Sequence, residues 1–177
     1  MTEVKNTELR DRFKATVPPK PSQHRILVGG DREAFITAGK KYARELHESG
    51  KTATSKLFTC DYGHFMQPYS GHAALSMKNY FQRAQKGVLM VEEPYLLIEN
   101  CQCGHEALMA LMTLMEKHTL DSAVIFSGDA EKMQKFLEAC PGFTAEVALP
   151  VIDLENGGAH KNRSCFRLGL DRKGGLK

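Results

Sequence analysis

A chain of 177 residues with 42% hydrophobic and 25% charged residues is long enough to bury one core, and its composition excludes fibrous and disordered classes. No apolar run approaches the ~20 residues that cross a bilayer. The start MTEVKNTELRDRFK is polar and of mixed charge, which argues against a secretory signal. The formal charge of +3 sits mostly in the two tails and reads as solvated surface, so neither nucleic acid nor membrane insertion is expected. Five cysteines without a signal segment point to reduced thiols and a cytoplasmic location.

In chain order, residues 1–22 read as a flexible arm ending in the stiff stretch Val17-Pro18-Pro19-Lys20-Pro21. Arg25 to Val28 is predicted as a buried strand stopped by Gly29-Gly30. A helix is expected from Asp31 to Ser49, because Phe35, Ala38, Tyr42, Ala43 and Leu46 recur three or four apart and Gly50 follows. Lys56 to Cys60 reads as a second strand, and Ala74 to Lys86 as a helix with Met77, Tyr80, Phe81 and Ala84 on one side. The unbroken run Gly87 to Val91 is what a sheet covered on both faces requires.

His105 to His118 is helical in pattern, with Leu108, Leu111, Met112 and Met115 as core residues. Ala123 to Phe126 is another buried strand, and Asp129 is placed to cap a helix carrying Met133, Phe136 and Leu137. Strands alternating with helices predict a three-layer α/β fold around a parallel sheet. After Pro150 the pattern changes. Val151 to Leu154 and the alternating Cys165 to Leu170 read as a long-looped hairpin followed by a frayed tail. The expected organisation is an arm over 1–22, an α/β core over 23–150 and a hairpin-like extension over 151–177.

With strand, glycine turn and helix in place, the order of segments resembles one AAA+ ATPase family. These are the relatives of bacterial sporulation stage V protein K and the red-type Rubisco activases, which also supply domains to type VII secretion ATPases. Gly87-Val88-Leu89-Met90-Val91-Glu92-Glu93-Pro94-Tyr95 is similar to that family's Walker B segment, GVLFIDEAY. Tyr69-Ser70-Gly71-His72 resembles its pore-loop segment, and Pro141-Gly142-Phe143 resembles the turn before its arginine pair. The likeness runs from about His24 to Phe143. It implies an AAA+, P-loop NTPase-like core whose subunits assemble, and it makes Tyr69 a candidate partner contact.

Departures from the family pattern shape the functional expectation. A P-loop needs glycines for close backbone approach, a lysine for the phosphates and a hydroxyl for Mg²⁺. Set against that pattern, Gly29 and Gly30 remain, but Phe35 stands at the lysine position and Ile36 at the hydroxyl position. Asp31 and Glu33 add negative charge. At about 5 Å and an effective dielectric of about 20, each carboxylate opposes a phosphate by about 3 kcal/mol, and Arg32 could offset one of them. Glu92 replaces the Walker B aspartate, while Glu93 matches the general base. Thr144 and Glu146 stand where the arginines are expected, and the short tail stands where the family continues into a helical lid.

The resulting expectation is a pseudo-ATPase: no enzyme and no cofactor, but a protein-interaction or scaffold module acting with other proteins or with itself in an assembly. Two alternatives stay open. One is a nucleotide-binding ATPase with an altered site that uses Glu93. The other is a zinc-stabilised regulatory module using Cys60, His64, Cys101, Cys103 and His105, which follow strands that neighbour each other in an AAA+ sheet. The spacing of those ligands matches no standard zinc knuckle, so no metal is expected. His72 and Cys140 lack a triad partner in the sequence.

Overall fold

The computed structural model describes residues 22–65, 72–100, 102–118, 121–140, 143 and 151–155. Its centre is a five-stranded sheet of β1 (Arg25–Val28), β2 (Leu57–Cys60), β3 (Val88–Glu92), β4 (Ala123–Ser127) and β5 (Val151–Asp153). The order is β2-β3-β4-β1-β5, and every pairing is parallel. The helices are α1 (Arg32–Glu48), α2 (His72–Ala84), α3 (Tyr95–Asn100), α4 (Gln102–Lys117) and α5 (Ala130–Ala139), with a 3-10 turn at Tyr62–Phe65.

The apolar runs are unbroken because both faces of the central strands are covered, with alternate residues serving opposite cores. Ile26, Val28, Leu89, Val91, Val124 and Phe126 face one core, with Met77 and Phe81 of α2, Leu97 of α3, Leu111 and Met115 of α4, and Met133 and Phe136 of α5. Leu27, Val88, Met90, Ala123 and Ile125 face the other, with Phe35, Ala43 and Leu46 of α1. The expected three-layer parallel α/β architecture is therefore present.

Helix ends follow local chemistry. Asp31 caps α1 by accepting from the Ala34 N–H at 2.8 Å, and Gly50 at φ 71° ends it while the Lys51 N–H returns to the Leu46 carbonyl at 2.9 Å. The predicted Asp129 cap is also present, accepting from the Lys132 N–H at 3.0 Å. Phe143 is buried with its ring against Phe126 and Phe136, at centroid distances of 5.4 and 5.7 Å. Phe143 is thus a core anchor.

One expected boundary needs correction, and two elements come in addition. Val151–Asp153 joins the core sheet beside β1, with Ile26, Leu27 and Val28 opposite Val151, Ile152 and Asp153. The 150/151 boundary therefore cuts through the core. The physical reason is that β1, paired with β4 on one side, offers a row of backbone groups on the other that a parallel strand satisfies. The second half of the expected hairpin lies outside the described residues. The 3-10 turn and α3 were not expected at all. Each is a turn or two long, too short for a helical period to show, and Tyr95-Leu96-Leu97-Ile98 is apolar throughout.

Candidate functional site

In a parallel sheet flanked by helices, the loops after the strands share one edge, and ligand crevices lie there. Here that edge collects Gly29 to Arg32 after β1, Asp61 after β2, Glu92 and Glu93 at the end of β3, Gly128 and Asp129 after β4, and Asp153 at the end of β5. Gly29 sits at φ 69°, and a β-carbon there would run into the Asp153 carboxylate. Only glycine allows the β1 loop to turn so close to β5.

Arg32 opens α1 and reaches across to β3. Its Nε donates to Glu92 Oε2 at 2.7 Å and its Nη2 to Oε1 at 3.1 Å, a two-pronged clamp. The Arg32 side chain is 68% exposed and that of Glu92 is 13% exposed, so the arginine forms the outer cover of the pair. The Glu92 hydrogen bond and charge hold the guanidinium pKa above its usual value, with Asp61 adding to the effect. Asp31, expected to burden the loop with negative charge, spends its carboxylate on the helix cap.

Glu93 turns the other way. Its backbone lies at φ 48°, unusual for a residue with a β-carbon, and its N–H is pinned to the Ser127 carbonyl at 2.8 Å. Its exposed carboxylate accepts a hydrogen bond from the Tyr95 hydroxyl at 2.8 Å. The two acids at the end of β3 are thus separated in role: one is neutralised by Arg32 and the other is presented outward.

Phe35, four residues after Asp31, is 8% exposed and belongs to the core formed with α1, whereas Ile36 is half-buried. Gly30 is exposed at the loop tip. Both Glu92 carboxylate oxygens accept from Arg32 in this arrangement.

Among the described residues the zinc candidates do not converge. Cys60 is buried, its thiol donates to the Met90 carbonyl, and burial pushes its pKa up to about 12. His64 is exposed, with Nδ1 2.8 Å from Asp61 Oδ1. Cys103 and His105 lie on α4, and Cys101 is outside the described residues. Among the described residues no group of three or more His, Cys, Asp or Glu could hold a metal ion, and Cys60, Cys103 and Cys140 form no disulfide. Tyr69 also lies outside the described residues.

Sequence reasoning missed the Tyr95 contact and the target of Arg32. For Arg32 the signal was its place beside Gly-Gly-Asp in an otherwise acidic loop. For Tyr95 it was an aromatic hydroxyl two residues after an acid.

No family model matches the chain. Among curated proteins it is similar to Protein CbbX of Cereibacter sphaeroides, at 30% identity over 72% of this chain and 42% of that protein. It is similar to a CfxQ homologue of Pyropia yezoensis at 31% identity over 75% of this chain and 45% of the relative, and to Protein CfxQ of Xanthobacter flavus at 31% over 72% and 41%. The chain therefore spans less than half the length of these relatives. Among solved structures it resembles the S. cerevisiae Hsp104-ADP complex, with a TM-score of 0.52 and 17% identity over 84% of this chain and 22% of the other.

The kinship corrects one expectation. A non-enzyme was predicted from the P-loop departures, and the similarity to the CbbX and CfxQ proteins contradicts that expectation. No described helix is long and apolar enough to cross a membrane. The parallel order β2-β3-β4-β1-β5 with helices on both faces gives this chain a P-loop NTPase (AAA+)-like fold, and over about three quarters of its length it is similar to the CbbX and CfxQ proteins.

Proposed function

We propose that this chain is a protein-binding subunit of a cytoplasmic AAA+ assembly, engaging other proteins or further copies of itself. The crevice at the strand ends is the part that answers to the assembly's ATP chemistry. The observation that carries this reading is the Arg32–Glu92 clamp, because the acid ending β3 is paired with the chain's own cation. Glu93 remains outside the clamp and faces solvent, where a neighbouring subunit's group can reach it. Tyr69 is the proposed contact for a partner, as an aromatic two residues before Gly71 in the segment that resembles a pore loop.

The CbbX and CfxQ kinship favours a second reading, in which nucleotide enters this same crevice in an altered mode. Arg32 would then leave Glu92 to meet phosphate charge at Gly29 and Gly30. Phe35 and Ile36 would line the floor, and Glu93 would serve as the exposed acid. The exposure of Arg32 makes such an exchange of partners sterically open.

The test is isolation of the complex from the native cell, with its mass and ATP turnover measured for the unaltered chain, Tyr69→Ala and Glu93→Gln. A particle larger than one chain, weakened by Tyr69→Ala, is the expected result. Loss of most turnover in Glu93→Gln with the particle intact selects the altered-site reading, and unchanged turnover selects the interaction reading alone. A partnerless monomer under native conditions would overturn both.

A further inference from the structure

The acid that faces outward is not held by its own backbone alone. Tyr95 is 3% exposed, yet its hydroxyl meets groups that follow both β3 and β4. It donates to Glu93 Oε1 at 2.8 Å and accepts from the Asp129 N–H at 3.5 Å. The direction of both bonds is settled by chemistry: an ionised carboxylate only accepts, a backbone N–H only donates, and a phenol does one of each. Asp129 in turn caps α5, accepting from the Lys132 N–H at 3.0 Å. A continuous line of hydrogen bonds therefore runs from Glu93 through Tyr95 and Asp129 to the first turn of α5.

The ring has little freedom to compensate. A β-carbon on Gly128 would lie 2.8 Å from Tyr95 Cε1, so the β4–α5 loop passes directly against the ring edge. The Lys132 ammonium stands 5.4 Å from the ring centroid on the α5 side. Closely packed groups with one low-energy arrangement transmit a displacement rather than absorb it.

We propose that Tyr95 is a positioning residue that couples the state of the Glu93 carboxylate to the start of α5. When Glu93 exchanges the phenol for another partner, the hydroxyl must turn to a new acceptor, and the Asp129 end of the line loosens. The inference rests on reading this crevice as the responsive end of the molecule, and it names the element that responds.

The experiment is a double-mutant cycle on the isolated full chain, read by amide hydrogen exchange at Asp129 and Lys132 with neither nucleotide nor partner present. Glu93→Gln should speed exchange at both amides severalfold in the protein with Tyr95. In the Tyr95→Phe background, which keeps the ring and removes the hydroxyl, Glu93→Gln should change nothing further. Gly128→Ala, which pushes the ring from its seat while keeping the phenol, should abolish the coupling in the same way and serves if Tyr95→Phe does not fold. A Glu93→Gln effect that reaches Asp129 undiminished without the hydroxyl, or with the ring displaced, overturns the proposal, as does the lack of any effect with Tyr95 present. Because no assembly is needed, failure here leaves the assembly reading standing, and failure of that reading leaves this coupling intact.

Discussion

The two edges of the parallel sheet present similar backbone groups and finish them in opposite ways. At the edge where β1 and β4 begin, His24 is fully buried, and its Nδ1 accepts from the Val124 N–H at 2.9 Å. That bond leaves the proton on Nε2, which donates to the Met115 carbonyl at 3.3 Å. Ser122 Oγ accepts from the Lys86 N–H at 3.0 Å close by. This edge is sealed, with each of these polar groups meeting an internal partner. At the edge where β1 and β3 end, Arg32, Glu93 and Gly30 are left toward solvent. Sealed polar groups specify packing, whereas exposed ones held in fixed geometry are available to something else. On this comparison the second edge is the one we propose as the functional site.

The largest expected effect lies just beneath the open edge. If Phe35 belongs to the core, as its burial indicates, Phe35→Ala should cost about 3–5 kcal/mol in urea denaturation. A loss below about 1 kcal/mol would mean the ring does not hold the core, and the open edge would then extend deeper than the geometry says.

The sealed edge can be tested with protons. Burial holds the His24 imidazole down at about 4 against an ordinary 6.5, with the Arg25 charge adding slightly and the Met115 bond opposing. The unfolded chain takes up this proton as pH falls through 6.5, while the folded chain resists until about 4. Stability from this group is therefore complete above pH 6.5, is lost as pH falls from 6.5 to 4, and levels off below. The loss across the window is about 3 kcal/mol. Urea midpoints taken from pH 7 to pH 4 in the unaltered chain and in His24→Ala should differ in slope, and parallel curves would show that the edge admits water. At pH 7 His24→Ala itself should cost about 2–4 kcal/mol, because it strands the Val124 N–H and the Met115 carbonyl.

Smaller effects sharpen the contrast at the open edge. Asp31→Ala should cost about 1 kcal/mol through loss of the α1 cap. Arg32→Ala should lower stability by no more than about 1 kcal/mol in urea, since the arginine side chain is largely exposed. A clear destabilisation from Arg32→Ala would make the clamp a structural brace and move it to the sealed edge's side of the comparison.

The sequence by itself determined the elements with strong local signatures. β1, β3 and β4 showed as apolar runs between breakers, α1 and α4 as apolar periods, and α5 through its Asp129 cap. It also determined the paired acids of β3 and the glycine turn before them. These features depend on neighbours within a few residues, and local backbone chemistry settles them. Tertiary structure alone decided the rest. That Arg32 would choose Glu92, sixty residues away, depended on β1 and β3 lying either side of β4. That Val151–Asp153 would pair with β1 depended on which edge the sheet left open. That Tyr95 would serve Glu93 depended on Glu93 taking φ 48° and on Gly128 making room for the ring. Each is a contact between groups that sequence leaves equally free to meet other partners, and only the closing of the sheet removes those alternatives.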